Sequence, residues 1–306
     1  MHTSDGLLTS WVCVVYWLLA IFFIRYCYQR MDIAPSKRRL FAGLISLIFV
    51  LQLLNFPLTS GISGHFIGAA LLAVVFGPYA GVIGMAIILS LQALLFGDGG
   101  IFSFGANVAS MGIAGSFSAS FVYKHLKEHI QARTGAQEFS FLAYSVASLF
   151  SVLCSFAVAS ASIAISYPFV GSVDGSMATG DLLKTLVGLL GLHVVIGIIE
   201  GFIGFFILGM VTIELKKDRA VSLAYITSFL LAAALLPFSS MLPDAFQAVT
   251  AQFGYFEYAA SYTILIPFAG YNLFGFSGYF FSLISAAIGI LIAYRAGRHI
   301  LSRAYP

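Results

Sequence analysis

The sequence predicts an all-α integral membrane protein, a polytopic bundle of about nine transmembrane helices. Hydrophobic residues make up 60% of the 306 residues and charged residues only 9%, whereas about 25% of the residues in a soluble domain are charged. Apolar runs recur along the whole chain, and they have the roughly 20-residue length that crosses a bilayer as a helix. Because these runs do not alternate in polarity at every second residue, they do not predict barrel strands.

The apolar runs are expected to cross the membrane in alternating directions. Only six residues precede the first run, without the basic region and cleavage site of a signal peptide, so the first helix and the amino terminus are expected to be retained. Gly77-Pro78-Tyr79 separates the third run from the fourth, and basic loops follow the first, fifth and seventh runs. The predicted helices are about 7–27, 40–57, 66–79, 81–96, 106–123, 138–167, 181–213, 220–238 and 276–295.

Basic clusters set the predicted orientation. They lie within residues 25–39, 124–133, 216–219 and 295–303, and the positive-inside rule places such clusters in the cytoplasm. The amino terminus is therefore expected outside and the carboxyl terminus inside, which puts Met1, His2 and His65 on the extracytoplasmic side. The clusters are short and lie beside helix ends, so no nucleic-acid partner is expected.

A nitrogen chelate is expected at the start of the chain, Met1-His2. The terminal amine and the amide nitrogen of His2 would close a five-membered ring around a metal, and that amide and the ring nitrogen Nδ1 a six-membered one. His65, at the end of the run Gly61-Ile62-Ser63-Gly64-His65, could supply a fourth nitrogen. Four nitrogens in a plane suit divalent nickel or copper, and cobalt is feasible. The alternatives are an accidental histidine at position 2 and a His65 that only caps a helix.

Several motifs occur together in an order and spacing that resemble one family. They are the start Met1-His2 with Asp5-Gly6, the segments Ser63-Gly64-His65-Phe66-Ile67-Gly68 and Phe76-Gly77-Pro78, the run 91–100, Gly105-Ala106-Asn107-Val108, and the run 192–201. Residues 1–213 thus resemble the CbiM/NikM family, the metal-binding membrane component of energy-coupling-factor cobalt and nickel importers. The resemblance implies that the amino terminus, His2 and His65 hold the metal.

The resemblance also implies a function and partners. It implies a substrate-capture subunit for Ni²⁺ or Co²⁺ in the cytoplasmic membrane of a bacterium or archaeon, working with a transmembrane coupling subunit and ATPase subunits. No G-x-x-x-x-G-K-[ST] phosphate loop occurs in the chain, so ATP hydrolysis is expected on separate proteins and the chain is not expected to be an enzyme. No cofactor is expected besides the transported ion. The four-nitrogen set favours nickel over cobalt.

The chain is predicted to have two parts. Residues 1–219 are expected to form the metal-binding component, and residues 220–306 an accessory segment with two helices. In the second part, Pro243-Asp244-Ala245-Phe246-Gln247 is similar to the P-D-G-L-E motif of an accessory component that is sometimes fused to this family, although Ala245 and Gln247 depart from it. Whether this part acts on metal loading or on assembly stays open.

Polar residues near the predicted helices are candidates for supporting the metal ligands. Glu200 is the acidic residue predicted deep inside a span, where a carboxylate is costly, and His193 lies on the same helix face. Either could orient a ligand, or could form a buried hydrogen bond between helices. For Gln92 and Asn107 a hydrogen bond across helices is favoured over a role beside the metal. Asp5 is expected to pack the amino-terminal segment into its site.

Two other functions stay open on the sequence. A membrane receptor that binds a metal without transporting it is expected to carry an output domain, and the segment after Tyr294 is too short for one. A channel that works without ATPases is expected to have a polar lining, which the largely apolar helices do not offer.

Overall fold

Helices dominate the computed structural model, which describes residues 2–134, 141–166, 179–215, 220–240, 242–252 and 266–305. Two short antiparallel strands, β1 (Phe56–Pro57) and β2 (Ser63–Gly64), form a hairpin between the second and third helices. The helices are α1 (Ser10–Arg30), α2 (Arg38–Leu53), α3 (Ala69–Phe76), α4 (Pro78–Leu91), α5 (Phe104–Asn107), α6 (Gly115–Thr134), α7 (Phe141–Ser166), α8 (Thr179–Leu215), α9 (Ala220–Leu235), α10 (Ala245–Gln252) and α11 (Tyr279–Ala304).

Five helices in the described part of the chain are long and apolar enough to cross a membrane. They lie at Ser10–Arg30, Pro78–Phe96, Phe141–Ser166, Leu183–Val211 and Tyr279–Ala304. The prediction of a helical membrane protein is confirmed, and the two-residue strands are the departure from an all-α chain within the described residues.

The first two helices differ in their surroundings although both are apolar. α1 exposes Trp11, Leu18 and Phe22, which gives it a broad apolar face of the kind that contacts lipid. α2 is buried on all sides from Leu40 to Leu53, as expected of a helix that other helices surround. It packs against α9 and α11, and α2 is therefore at the centre of the bundle.

The third predicted span is much shorter as a helix than the sequence indicates. The run 66–79 was expected to be helical throughout, but α3 has eight residues and is about 12 Å long. It begins after Gly68 and ends at Gly77, whose φ angles are +81° and +88°. Such angles end a helix, because the left-handed region is open mainly to glycine. Residues 66–68 therefore lie outside the helix.

Two π-helical turns interrupt the middle of the chain. One, Gln92–Phe96, continues α4, and the other, Val108–Ala114, joins α5 to α6. Single π-helical turns often mark functional sites because they re-aim the side chains around them. The connection between the two turns, residues 97–103, is called the 97–103 loop below.

The carboxyl-terminal part packs against the earlier helices. Ser46 of α2 donates a hydrogen bond to the carbonyl oxygen of Ile290 in α11, at 3.2 Å, and the Gly289 backbone lies against the ring of Phe49. Residue 219, where the two predicted parts meet, lies outside the described residues. The division of the chain at that residue therefore stays a prediction.

Candidate metal centre

The amino-terminal segment lies inside the protein. The side chain of His2 is 1% exposed and that of Thr3 is fully buried. Burying backbone polar groups costs free energy unless they find hydrogen-bond partners, so the partners of this segment define how it is held. Met1, which supplies the amine of the predicted chelate, lies outside the described residues.

Asn107 binds both backbone groups of Thr3. Its Oδ1 accepts a hydrogen bond from the Thr3 amide at 2.7 Å, and its Nδ2 donates one to the Thr3 carbonyl oxygen at 3.0 Å. The Ser103 hydroxyl donates a second hydrogen bond to that oxygen, at 2.6 Å. Asn107 lies where α5 passes into a π-helical turn, and its amide therefore contacts the amino-terminal segment.

Asp5 fastens the same segment to the 97–103 loop. Its carboxylate oxygens accept hydrogen bonds from the backbone amides of Ile101 at 2.8 Å and Ser103 at 2.9 Å. Gly100 has a φ of +94°, and a side chain there would collide with the Asp5 carboxylate. The loop can therefore wrap the segment closely because glycine occupies this position.

The His2 ring presents one nitrogen that has no hydrogen bond. Its Nε2 lies 3.2 Å from Oε1 of Gln92, and because that oxygen accepts only, Nε2 carries the proton. In the neutral tautomer with this hydrogen bond, Nδ1 is the unprotonated nitrogen, and an unprotonated ring nitrogen is the form that binds a metal. This Nδ1 is buried without a hydrogen-bond partner, although an oxygen of Asp98 lies 3.3 Å away. It is the ring atom that the predicted chelate uses.

The His65 ring stacks on the ring of His2. The two ring centroids are 4.8 Å apart and the planes differ by 22°. His65 Nδ1 donates to the carbonyl oxygen of Phe66 at 3.0 Å, which leaves Nε2 as its unprotonated nitrogen. Burial holds the pKa of His65 well below its ordinary value, and nearby positive charge lowers it further. The imidazole is therefore neutral at pH 7, as a metal ligand must be.

Glu200 of α8 holds the non-helical residues that follow His65. Its two carboxylate oxygens accept hydrogen bonds from the backbone amides of Ile67 at 2.8 Å and Gly68 at 3.0 Å. Gln52 of α2 donates to the Ile67 carbonyl oxygen at 2.5 Å. Non-helical backbone is tolerated at membrane depth only where protein groups satisfy it. This requirement accounts for a buried carboxylate in an apolar helix.

Asp244 brings a third metal-binding side chain to the two imidazoles. Its Oδ2 accepts a hydrogen bond from the His2 backbone amide at 3.0 Å and lies 4.0 Å from His65 Nε2. Its Oδ1 accepts one from the Gln247 amide at 2.8 Å, and Gln247 Oε1 accepts one from the Asp244 amide at 3.2 Å. This reciprocal pair is a capping box at the start of α10, so the cap leaves Oδ2 directed at the histidines.

Charge at the site acts on the Asp244 carboxyl in two directions. Burial raises the pKa of this carboxyl, whereas nearby positive charge at the start of the chain lowers it more. The net pKa lies below the ordinary value, and the group is a carboxylate at pH 7. The site therefore combines neutral nitrogens with one negative oxygen donor.

His2, His65 and Asp244 form one compact cluster. One potential ligand atom from each lies within 4.8 Å of the others, and all three residues are buried. Ligands on opposite sides of a metal are roughly 4 Å apart, at about 2 Å from the metal each, so a small inward movement would bring them to one ion. In the described part of the chain, no other group of three or more such residues meets this criterion.

Comparison with known proteins places the chain in a family. The model of the cobalt uptake substrate-specific transmembrane region, CbiM, matches residues 2–218. The chain belongs to the CbiM family. The resemblance drawn from the sequence motifs is thereby confirmed.

The CbiM-family chain has relatives that match different shares of its length. An Archaeoglobus fulgidus protein assigned to fused nickel transport, NikMN, is 29% identical over 308 residues, 97% of each chain. The cobalt transport protein CbiM of Lachnoclostridium phytofermentans is 32% identical over 208 residues, 66% of this chain and 78% of the relative. A crystal structure of a truncated transition metal transporter aligns with a TM-score of 0.58 and 22% identity, covering 71% of this chain and 99% of its own. This last likeness concerns the fold alone.

His193, another residue of the family motifs, contacts aromatic rings. Its Nδ1 donates a hydrogen bond to the carbonyl oxygen of Leu189, one turn earlier in α8, at 2.7 Å. Its ring lies 4.4 Å from that of Phe156 and 5.6 Å from that of Phe246, centroid to centroid. Phe246 follows Asp244 by two residues, so His193 packs against the start of α10. Glu200, on the same helix as His193, binds the residues after His65 instead.

The sequence analysis did not identify Asp244 as a site residue. Its segment matched an accessory motif, and nothing within residues 240–250 indicates a contact with a histidine more than 240 residues earlier. A local signal was present nonetheless. Asp244 and Gln247 have the spacing of a helix amino-terminal capping box, which predicts a fixed carboxylate even though the pattern departs from P-D-G-L-E.

Replacing Glu200 with alanine is expected to lower the stability of the protein. Two buried backbone amides, those of Ile67 and Gly68, would lose their acceptor, at about 1–3 kcal/mol each. Glu200→Gln should have a smaller effect because it keeps one acceptor oxygen. Thermal unfolding in detergent measures the change, with Glu128→Ala, an exposed position in α6, as the matched control. Equal midpoints for the Glu200→Ala variant and its control would contradict the assignment.

Proposed function

We propose that this CbiM-family chain captures a divalent nickel or cobalt ion as the substrate-binding subunit of an ATP-driven uptake transporter. The observation that carries the proposal is the buried Nδ1 of His2, which has no hydrogen bond and lies beside the stacked imidazole of His65. A buried polar atom without a partner is costly, and a bound cation would satisfy it. Relatives that are named for nickel and cobalt transport support the choice of metals.

The proposed ligand set has four nitrogens. The amine of Met1, the amide and Nδ1 of His2, and Nε2 of His65 would surround the ion. The Gln92 and Phe66 oxygens hold the other ring nitrogens of His2 and His65, which sets both tautomers for metal binding. Nickel is favoured over cobalt because Ni²⁺ readily accepts a planar set of nitrogens.

The proposed orientation places this site on the extracytoplasmic side. Tyr305, after α11, contacts Met31 and Ile33 after α1, and its ring stacks under Arg38. The carboxyl end and the basic connection between α1 and α2 therefore share one end of the bundle, which the positive-inside rule assigns to the cytoplasm. His2 precedes the start of α1, about 30 Å away along a 21-residue helix.

Nine crossings remain our proposal for the topology. Five described helices have the length to span alone, and α3 would complete a crossing together with the non-helical residues 66–68. The amino terminus would then be extracytoplasmic and the carboxyl terminus cytoplasmic. The membrane is proposed to be the cytoplasmic membrane of a bacterium or archaeon.

The proposed partners are a transmembrane coupling subunit and ATPase subunits. The sequence contains no phosphate loop of the G-x-x-x-x-G-K-[ST] type, so this chain would contribute capture of the ion and the partners would contribute ATP hydrolysis. Release of the ion to the cytoplasm would require them to open a site that now lies among buried side chains.

Titration of the purified full chain with nickel should show one ion bound and proton release. The His2 amide now donates its proton to Asp244 and must lose it to bind the metal, and the terminal amine is mostly protonated at pH 7. Because His65 is already neutral, close to two protons should leave for each ion bound. Calorimetry in buffers of different ionisation enthalpy measures this number, with cobalt, copper and zinc as comparison ions.

Two results would overturn the proposed function. One is the absence of binding by both nickel and cobalt to a chain with a native start. The other is metal flux into vesicles that contain this chain but no ATPase subunit, which would indicate a channel.

A further inference from the structure

We propose that the Asp244 carboxylate is an oxygen ligand of the captured ion, so that the carboxyl-terminal part of the chain completes the metal site. The inference rests on the proposed function and adds a ligand to the four nitrogens. It assigns a role at the site to a segment that lies beyond residues 2–218, the part of the chain that the CbiM family model matches.

The backbone around Asp244 is fixed beside the His65 segment. The amide of Ser63 in β2 donates to the Pro243 carbonyl oxygen at 2.9 Å, and the Ser63 hydroxyl donates to the Leu242 carbonyl oxygen at 2.7 Å. Ser63 and Asp244 are themselves paired as a parallel bridge. His65 follows Ser63 by two residues, so these hydrogen bonds hold the Asp244 carboxylate close to the His65 imidazole.

Helix capping does not account for both carboxylate oxygens. A cap needs one acceptor oxygen, and Oδ1 supplies it to Gln247. Oδ2 lies 3.0 Å from the His2 amide nitrogen, which is the atom that would bind the metal, and 4.0 Å from the ring nitrogen of His65. The oxygen therefore lies close to two proposed ligand atoms, in a side chain that is 4% exposed.

Charge balance favours a carboxylate at this position. In the proposed set the amine and both imidazoles are neutral and the deprotonated amide carries one negative charge, so a divalent ion would leave one net positive charge in a buried site. An uncompensated buried charge is strongly unfavourable. The Asp244 carboxylate would offset that charge from within the ligand set, whereas the Asp98 carboxylate, with an oxygen 3.3 Å from His2 Nδ1, lies outside the set.

An oxygen ligand also changes which metals the site accepts. Four nitrogens alone give planar nickel, which has no unpaired electrons, whereas a fifth ligand gives paramagnetic nickel. Cobalt is less suited than nickel to a purely planar set and gains more from an added oxygen. The carboxylate would therefore let one site hold both ions.

The test compares the native full chain with the Asp244→Asn variant, each loaded with nickel or with cobalt. Asparagine caps a helix as well as aspartate does and keeps the shape, so the change removes the charge while α10 keeps its start. Magnetic susceptibility and X-ray absorption report the spin state and the coordination number, and competition with a chelator reports affinity. Asp32→Asn, at an exposed position after α1, is the matched control.

We expect five-coordinate, paramagnetic nickel in the native chain and planar nickel in Asp244→Asn. Affinity should fall about 10-fold or more for nickel, and further for cobalt. Planar, diamagnetic nickel in the native chain would overturn the inference even if the variant failed to fold, and so would equal spectra and affinities in the two proteins. In both cases metal binding by the native chain would leave the proposed function intact, whereas no binding by the native chain would overturn both.

Discussion

A chain with four alanines added ahead of Met1 is expected to bind nickel more than about 100-fold more weakly than the native chain. A single added residue would not serve as the test, because it would make His2 the third residue, and the amine, two amides and imidazole of a third-position histidine form a four-nitrogen nickel chelate of their own. The extension moves the terminal amine away from the His2 amide and opens the five-membered chelate ring. Mutation of groups that merely support a ligand costs about 10–100-fold in metal affinity, and the loss of a chelating ligand should cost more.

The surroundings of His2 and Thr3 prevent the longer chain from adjusting. Asn107 binds both backbone groups of Thr3, and Asp5 binds the 97–103 loop, so the depth of the segment is fixed. A side-chain atom built at Gly99 would lie 3.0 Å from the His2 ring, which shows how closely the loop covers it. The four additional residues therefore cannot be accommodated by sliding the segment without breaking these hydrogen bonds.

Calorimetric titration of the two chains with nickel measures this difference. The same four alanines appended at the carboxyl end are the matched control, because they leave both chelate rings intact. Proton release should fall as well, since the amine no longer participates. If the extended chain bound nickel with native affinity, the amine would not be a ligand and the chelate would have to be rebuilt from side chains alone.

Hydropathy predicted the long helices well because the bilayer imposes their length. The runs 7–27 and 40–57 correspond to Ser10–Arg30 and Arg38–Leu53, with shifts of two to four residues at each end. The ends shifted because side chains and capping, rather than hydropathy, decide where a helix stops. Hydropathy also cannot tell that α1 exposes an apolar face while α2 is enclosed.

The non-helical residues 66–68 could not be predicted in the same way. Their sequence is as apolar as that of a helix, and the partner that satisfies their amides is Glu200, more than 130 residues later. The sequence allowed two roles for Glu200: it could orient a metal ligand, or it could form a hydrogen bond between helices. Its hydrogen bonds to Ile67 and Gly68 lie directly after His65, so one carboxylate can serve packing and ligand placement together.

The sequence predicted the two histidines of the site, but it did not predict the contacts of the other residues around them. His2 and His65 stood out because of chelate chemistry and family motifs, whereas Gln92 and Asn107 were expected to bridge helices. Instead their amides contact His2 and Thr3, a segment that no periodicity places in the interior. Asp244 was missed because its contact with His2 spans 242 residues, a separation at which local sequence patterns carry no information.

Replacing His65 with alanine is expected to weaken nickel binding by more than about 100-fold. The substitution removes a metal ligand, and even the loss of a residue that only supports a ligand costs about 10–100-fold in metal affinity. The variant should still fold. Ser63 stays bonded to Pro243 on one side of the substitution, and Glu200 stays bonded to Ile67 and Gly68 on the other. The loss should therefore reflect the missing nitrogen rather than a displaced segment.

Titration with nickel and nickel uptake by cells that supply the coupling and ATPase subunits both measure this effect. The matched control is His125→Ala, an exposed histidine whose Nδ1 donates to the Phe121 carbonyl oxygen within α6; it should bind and transport as the native chain does. Unchanged uptake by His65→Ala would remove this imidazole from the ligand set. The stacking of His65 on His2 would then serve only to fill the interior, and three nitrogens with the Asp244 oxygen would have to bind the ion.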